Sequence, residues 1–390
     1  MTAVHQFVPA LLPRDATGDH TLALRETFRA AGWESDIYVE AAHDELLGEA
    51  TYFEQYPDHA KPGDILLYQL STGSPVAEFL AARPETLVLD YHNITPASFY
   101  EGWEEHTADK VALARHQVAE LAPKATLGIA DSAFNAAELR GFGCPETTVV
   151  PILCDIAAWS GQPDPVEAAR LAARRRGGTS PVPGTSSDAA TGLGIRTDSG
   201  TGTGTVLLFV GRLSPNKAQH QLVEALWFYR RWYDPEARLR LVGPATTKSY
   251  AEAVLSFAAE LGLADAVERG ERLTQAELAA WYADADLFVC LSDHEGFCIP
   301  LLEAMHFDLP IVAFGAGAVP ETLGQAGVLL DTKRPSVVAA AIDRVRNDTE
   351  LAARLAAAGH DRLETFAIPN TRARFIEVLG ALDQRQAVTA

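Results

Sequence analysis

Residues 287–305 read LFVCLSDHEGFCIPLLEAM, an apolar run, a polar loop and then a helical pattern. Leu287-Phe288-Val289-Cys290 is short and apolar on both faces, as a strand inside a parallel sheet requires. The loop Ser292-Asp293-His294-Glu295-Gly296-Phe297 follows it. Proline suits the first helical position, where no N–H is needed, so the reading starts a helix at Pro300. The free amides of Gly296, Phe297, Cys298 and Ile299 then point outward at a helix N-terminus, which attracts phosphate. Gly296 lets the backbone come close to a ligand. Glu295 before the helix and Glu303 inside it are spaced to meet two ends of one ligand. A plain capped helix, with Glu303 favoured by the macrodipole and Glu295 solvated, fits the spacing equally well.

Working outward, the same alternation fills the second half of the chain. Val206-Leu207-Leu208-Phe209-Val210, Leu239-Arg240-Leu241-Val242, Ile311-Val312-Ala313-Phe314 and Val328-Leu329-Leu330 read as strands. Helical patterns over Gln219–Tyr229, Tyr250–Leu261 and Gln275–Ala283 lie between them. The first half repeats the scheme with Ile65-Leu66-Leu67-Tyr68, a helix from Pro75 to Ala82, and Thr86-Leu87-Val88-Leu89. Such alternation predicts an α/β protein with parallel sheets. The expected division is 1–155 as an N-terminal domain, 156–204 as a linker, 205–365 as a second domain, and 366–390 as a C-terminal helix packing back on the first domain. Within the linker, 161–204 is rich in Gly, Ser, Thr and Pro and has little to bury, so it reads as mobile. Its TGTG precedes the strand at 206, whereas a dinucleotide fingerprint follows a strand and opens a helix.

Composition narrows the function. The 390 residues carry a formal net charge of −20, with 47% apolar and 22% charged residues. Residues 1–155 hold nine Lys or Arg against twenty-four Asp or Glu. Such a surface repels nucleic acid and anionic headgroups, so no nucleic-acid partner and at most weak membrane association are expected. Any phosphate site must rest on a few placed cations and backbone amides. Cys144, Cys154, Cys290 and Cys298 form no C-x-x-C pair, and read as reduced, mostly buried residues. The start MTAVHQFVPALLP has no basic leader, and no apolar run reaches bilayer length, so a cytoplasmic location is expected.

With these residues in hand, E-G-F-x-x-P-x-x-E-A-M, its glutamates eight apart, resembles the E-x7-E signature of retaining family-4 (group 1) glycosyltransferases of the GT-B fold. VGRLSPNK at 210–217, ELAAWYADADLFV at 277–289 and GAGAVPE at 315–321 are similar too. The resemblance covers essentially the whole C-terminal half and, more weakly, the first. It implies two Rossmann-like domains facing across a cleft, 1–155 on the acceptor side and 205–365 binding the nucleotide sugar. It places Glu295 on the donor sugar and Glu303 on the nucleotide ribose. Two departures stand out: EGFG reads EGFC at Cys298, and the small residue and glycine expected after EAM are replaced within His306-Phe307-Asp308. Cys298 would narrow the room for sugar or diphosphate.

Gly211-Arg212 follows the strand at 206–210, and Lys217 comes five residues later at an expected helix start. Two rigidly held cations would stabilise charge building on a diphosphate leaving group without a metal. A surface Arg and a first-turn Lys would explain the pattern structurally, although the helix dipole disfavours that Lys. The resemblance places both on the β-phosphate. His92 ends Leu87-Val88-Leu89-Asp90-Tyr91-His92, a strand end where ligands of parallel sheets collect. A histidine there is commonly structural, but the resemblance puts it near C6 of the transferred sugar. Thr17-Gly18-Asp19, in the loop Pro13–Asp19, resembles the first glycine-rich loop that approaches acceptor and diphosphate, with Asp19 where a glycine is expected. A solvated loop is the structural alternative. Arg272 and Leu273 fall where family members hold the nucleobase. Gly315-Ala316-Gly317 makes a second tight turn. Asp284-Ala285-Asp286 has D-x-D letters but lies between helix and strand, so it reads as a cap and a turn, not as metal ligands.

The implied function is metal-independent, front-face transfer of a hexose from a UDP- or GDP-sugar to a glycan or small hydroxyl acceptor, in polysaccharide biosynthesis, with retained configuration. The implied catalytic set is His92, Arg212, Lys217 and Glu295. The implied donor set is Gly211, Arg212, Lys217, Arg272, Leu273, Glu295, Gly296, Phe297, Cys298, Ile299 and Glu303, with Thr17, Gly18 and Asp19 on the acceptor and diphosphate side. No metal and no cofactor beyond the donor are expected, and no oligomeric state follows. The alternatives are a nucleotide-sugar-binding pseudoenzyme, or a GT-B epimerase or phosphorylase.

Overall fold

The computed structural model describes residues 3–13, 15–155, 159, 161–175 and 204–389. The chain divides into two compact units, Met1–Asp155 with His294–Phe297 and Thr365–Ala390, and Ile156–Asp293 with Cys298–Glu364.

In the first unit seven strands form one parallel sheet: β1 Val4–Leu11, β2 Ile37–Ala42, β3 Thr51–Tyr52, β4 Ile65–Leu70, β5 Thr86–Tyr91, β6 Leu127–Ala130 and β7 Thr147–Val149. Their order, β3-β2-β1-β4-β5-β6-β7, reverses direction between β1 and β4. Crevices for ligands open at such a reversal, beyond the carboxyl ends of the strands. β4 is buried at every position, which explains its unbroken apolar run. One face of the sheet packs Phe7, Tyr68, Leu89 and Val118; the other packs Val4, Phe28, Leu67 and Val88. Phe375, Leu379 and Leu382 of the helix Ile368–Thr389 join that second face, so the chain's last helix completes the core of its first sheet.

The second unit has six parallel strands: β8 Val206–Val210, β9 Arg238–Val242, β10 Val267–Gly270, β11 Leu287–Cys290, β12 Ile311–Phe314 and β13 Gly327–Leu330. Their order is β10-β9-β8-β11-β12-β13, with the reversal between β8 and β11. Both units are therefore doubly wound, Rossmann-like α/β folds. Capping explains several helix starts. Ser74 accepts from the Val76 amide before Pro75, and Thr274 with Glu277 makes a reciprocal capping box before Gln275–Ala283.

One stretch of the expected linker is structured. Pro165–Arg175 is a helix, because its side chains find partners in the second unit. Glu167 accepts from the Trp281 indole at 2.7 Å, Arg170 pairs with Glu268 at 3.0 Å, and Arg175 pairs with Asp286. Residues 176–203, the core of the Gly/Ser/Thr-rich segment, lie outside the described residues. All four cysteines are buried, and none is in a disulfide. Among the described residues, no helix is long and apolar enough to cross a membrane.

Candidate functional site

At the reversal of the second sheet, the turn after β8 carries Gly211 and Arg212. Gly211 has φ +153°, donates to the Val242 carbonyl at 2.8 Å, and packs so tightly that a Cβ on Gly243 would lie 2.3 Å from its oxygen. Arg212 is pinned through its backbone, since its carbonyl accepts from Gln219 Nε2 at 2.9 Å. Its side chain is exposed and makes no ion pair with any described residue. Lys217 does not open a helix. It closes the one-turn 3-10 segment Pro215–Lys217, and Ala218 in left-handed geometry (φ 51°) separates it from the helix Gln219–Trp232. A backbone bond from the Asp293 amide to the Asn216 carbonyl, 2.8 Å, ties the loop after β11 to this turn. Lys333 holds the same loop from the other side, donating to the Leu291 carbonyl at 3.1 Å and pairing with Asp293.

The helix after that loop runs Ile299–His306, so it begins one residue before the expected Pro300, which still sits in its first turn. No side chain caps it. Its N-cap, Cys298, has φ 72° and ψ 64°, left-handed geometry that glycine adopts most readily. Asp308 just past the helix has φ 53°. Both departures from glycine thus fall where the backbone is left-handed. Inside the helix, Glu303 accepts from the Tyr282 hydroxyl at 2.6 Å. Burial pushes the Glu303 carboxyl above its ordinary range, and the tyrosine bond draws it partly back. Phe307 lies flat against Tyr282, ring centroids 5.0 Å apart and planes 6° apart, which gives the Phe307 departure a packing role. Arg272 after β10 is exposed at φ 54°, and Leu273 is half-buried. Asp284 ends the helix Gln275–Ala283 and pairs with Arg240 at 2.9 Å, while Asp286 accepts the Val206 amide at 2.8 Å. Those bonds account for both aspartates as structural anchors.

In the first unit Thr17, Gly18 and Asp19 lie in the first turn of the helix Ala16–Ala30, not in a loop as expected. Asp15 caps that helix by accepting the Gly18 amide at 3.2 Å. A Cβ on Gly18 would come within 2.6 Å of the Leu12 carbonyl, so glycine is required for the close approach of the two segments.

The segment His294–Phe297 is held by the ends of β5 and β6. Ser132 donates to the Gly296 carbonyl at 2.8 Å, and His294 Nε2 meets Asn93 Oδ1 at 2.6 Å. Asn93, left-handed at φ 69°, leaves no room for a side chain at 296, where a Cβ would be 2.5 Å from its own. Glu295 is 6% exposed. The Phe297 ring meets Phe366 edge-on at 5.2 Å.

His92 stands at the expected strand end, but its ring is enclosed, with 4% of the side chain exposed. Nδ1 lies 3.1 Å from Asp131 and Nε2 2.6 Å from Gln69 Oε1. His20 meets its ring edge-on at 5.2 Å and bonds Asp90 at 3.0 Å. Burial works against a charge on His92, but the carboxylates of Asp131 and Asp90 prevail and raise it to about 9. Sequence reading missed Gln6, Gln69, His20, Asp90 and Asp131 here, and Asn93, Ser132 and Asn135 beside the loop. Polar residues inside apolar strands, such as Gln69 and Asp90, were the available signal, because a buried polar group needs a partner.

Residues 195–362 match the family model described as glycosyl transferases group 1. Over 194 residues the chain is 34% identical to a D-inositol 3-phosphate glycosyltransferase of Thermomonospora curvata, covering 47% of this chain and 45% of that protein. Over 199 residues it is 33% identical to a GDP-mannose-dependent alpha-(1-6)-phosphatidylinositol monomannoside mannosyltransferase of Mycolicibacterium smegmatis, covering 48% of this chain and 51% of that protein. The match thus spans about half the length of these curated relatives. Among solved structures, Anabaena HepE in complex with UDP-glucose is similar with a TM-score of 0.72 and 20% identity, covering 97% of this chain and 99% of that one. Sucrose-phosphate synthase from Thermosynechococcus elongatus has a TM-score of 0.70 and 17% identity, covering all of both chains. At these identities the likeness is one of fold.

Proposed function

We propose that this chain, whose residues 195–362 match the model of group 1 glycosyl transferases, transfers a hexose from a UDP- or GDP-sugar to a hydroxyl acceptor, with retained configuration and without a metal. The observation that carries this is the turn after β8. A rigid backbone presents the exposed guanidinium of Arg212 at the strand reversal, five residues before Lys217, on a turn tied to the loop that leads to an uncapped helix N-terminus. Cations and amides so arranged meet the charge that grows on the β-phosphate as the glycosidic bond breaks. Glu303 would take the ribose hydroxyls, and Arg272 with Leu273 would flank the base. Front-face transfer lets the departing phosphate accept the acceptor's proton, so no dedicated base is required. Both ring nitrogens of His92 already being bonded fits that scheme. The names of similar proteins include both a UDP-glucose complex and a GDP-mannose-dependent enzyme, so the donor is sought in those two classes.

The test has two steps. A thermal-shift screen of UDP, GDP and ADP identifies the base, since a ligand that binds the native state raises apparent stability. Release of nucleotide diphosphate from the matching sugar is then measured with and without hydroxyl acceptors, in EDTA throughout. Acceptor-dependent release giving a product of unchanged anomeric configuration is expected. Nucleotide binding without turnover would make the chain a binding protein, acceptor-independent consumption of donor would point to an epimerase, and loss of activity in EDTA would remove the metal-free mechanism.

A further inference from the structure

Four neighbouring strands of the first sheet, in the order β1-β4-β5-β6, each contribute one polar residue to a single chain of hydrogen bonds. Gln6 lies on β1, Gln69 on β4, His92 directly after β5, and Asp131 directly after β6. Gln6 and Gln69 are fully buried. The chain starts at the Thr21 carbonyl on the helix Ala16–Ala30, which accepts from Gln6 Nε2 at 2.9 Å. Gln6 Oε1 accepts from Gln69 Nε2 at 3.0 Å, and Gln69 Oε1 faces His92 Nε2 at 2.6 Å.

The direction of this chain is set at its far end. A backbone carbonyl can only accept, so Gln6 must turn its amide nitrogen to Thr21 and its oxygen to Gln69. Gln69 must then present its own oxygen to His92. Nε2 of His92 therefore carries a proton. Its Nδ1 faces the Asp131 carboxyl, with 3.1 and 3.2 Å to the two oxygens.

The neighbouring histidine decides where the buried charge goes. His20 Nδ1 accepts the Leu153 amide at 2.9 Å, so its lone pair is engaged there and its proton sits on Nε2, toward Asp90. Two buried carboxyl groups, Asp90 and Asp131, are thus matched with one histidine whose lone pair is occupied and one that faces acceptors on both sides. We propose that Gln6 and Gln69 form a directional relay that holds His92 as an imidazolium, donating from both ring nitrogens. Gln6 and Gln69 are positioning residues in this arrangement. His92 is a fixed internal cation that neutralises the Asp90 and Asp131 side of the strand edge, and it has no lone pair with which to act as a base. The titratable groups facing it are His20 with the Asp15 cap on the first helix, Asp90 on β5 and Asp131 after β6.

The test is spectroscopic and independent of sugar transfer. The full chain is labelled with nitrogen-15 in histidine, and the ring nitrogens are observed by NMR from pH 6 to 10. His92 is assigned by the signal lost in His92→Gln and, separately, by through-space contact with the His20 ring. Both His92 nitrogens should carry protons at pH 7.5. An unprotonated Nε2 or Nδ1 at that pH overturns the proposal, the latter by leaving the proton on Asp131. In Asp131→Asn the titration should move down by about 1–3 pH units, the range for losing an adjacent opposite charge. In Gln69→Leu, which removes the acceptor at Nε2, it should also move down. A His92 titration unmoved in both variants contradicts the relay, and the wild-type spectrum decides on its own where a variant does not fold.

Discussion

The ends of β5 and β8 make opposite use of a positive charge. After β5, His92 is enclosed, both ring nitrogens bonded and its charge met by Asp131 and Asp90. After β8, Arg212 is held by its backbone while its guanidinium stays exposed, with no ion pair among the described residues. An enclosed, fully bonded cation shapes the protein around it. An exposed cation on a rigid turn is arranged for something that is not protein. Sequence position alone assigns both to the ligand, because each directly follows a strand of a parallel sheet. What separates them is whether the chain supplies partners of its own.

The largest effect should come from removing the exposed cation. In Arg212→Ala, turnover should fall by about 10²–10³-fold, the usual consequence of deleting one donor to developing charge. Stability should change by no more than about 0.5 kcal/mol, as for other surface substitutions. Initial rates at saturating donor, alongside thermal unfolding of the same preparation, measure both. A loss of turnover below tenfold would take Arg212 away from the leaving group and erase the contrast with His92.

The enclosed cation should register in stability instead. Its folded-state pKa of about 9 lies above the ordinary histidine value of about 6.5. Its stabilisation is therefore fully present below about pH 6.5, and it is lost as pH rises through 9. Between those limits a one-proton difference makes unfolding easier by about 1.4 kcal/mol per pH unit. Chemical denaturation at pH 6, 7.5 and 9 should show this fall in wild type, and His92→Gln should flatten it. An equally steep fall in the variant would assign the slope to other groups.

These two residues also show how far sequence reading reached. The alternation of apolar runs and helical patterns pointed to parallel α/β sheets in both halves, because parallel strands buried on two faces leave so plain a signature; their doubly wound order was implied only by the family resemblance. The turn at Gly211-Arg212 and the loop before Ile299 were legible since glycine, proline and charge mark backbone geometry locally. The surroundings of His92 were not. Gln6, Gln69 and Asp131 are 63 and 62 residues apart along the chain, and only the strand order β1-β4-β5-β6 brings them together. The helix Pro165–Arg175 was hidden for the same reason: its arginines look like linker until Glu268, Asp284 and Asp286 are placed beside them. Thr17-Gly18-Asp19 read as loop because Asp15 was not recognised as the cap that starts the helix.

The smallest expected effect separates two positions that hold left-handed backbone without glycine. Cys298 at φ 72° and Asp308 at φ 53° both occupy left-handed backbone, yet they should not respond alike to glycine. Left-handed geometry costs an ordinary side chain about 1–2 kcal/mol, while aspartate tolerates it through local hydrogen bonding. Glycine brings back about 0.5–1 kcal/mol of chain entropy to be lost on folding. Cys298→Gly should therefore stabilise the chain by up to about 1 kcal/mol, a rise of about 2 °C in unfolding temperature. Asp308→Gly should give no gain, since it relieves little strain and removes the contact with His360 at 2.6 Å. Equal gains from both would mean that backbone geometry alone governs these positions. A loss on Cys298→Gly would mean that the packing of the buried thiol outweighs the strain, making this cysteine part of the wall around the helix start at Ile299.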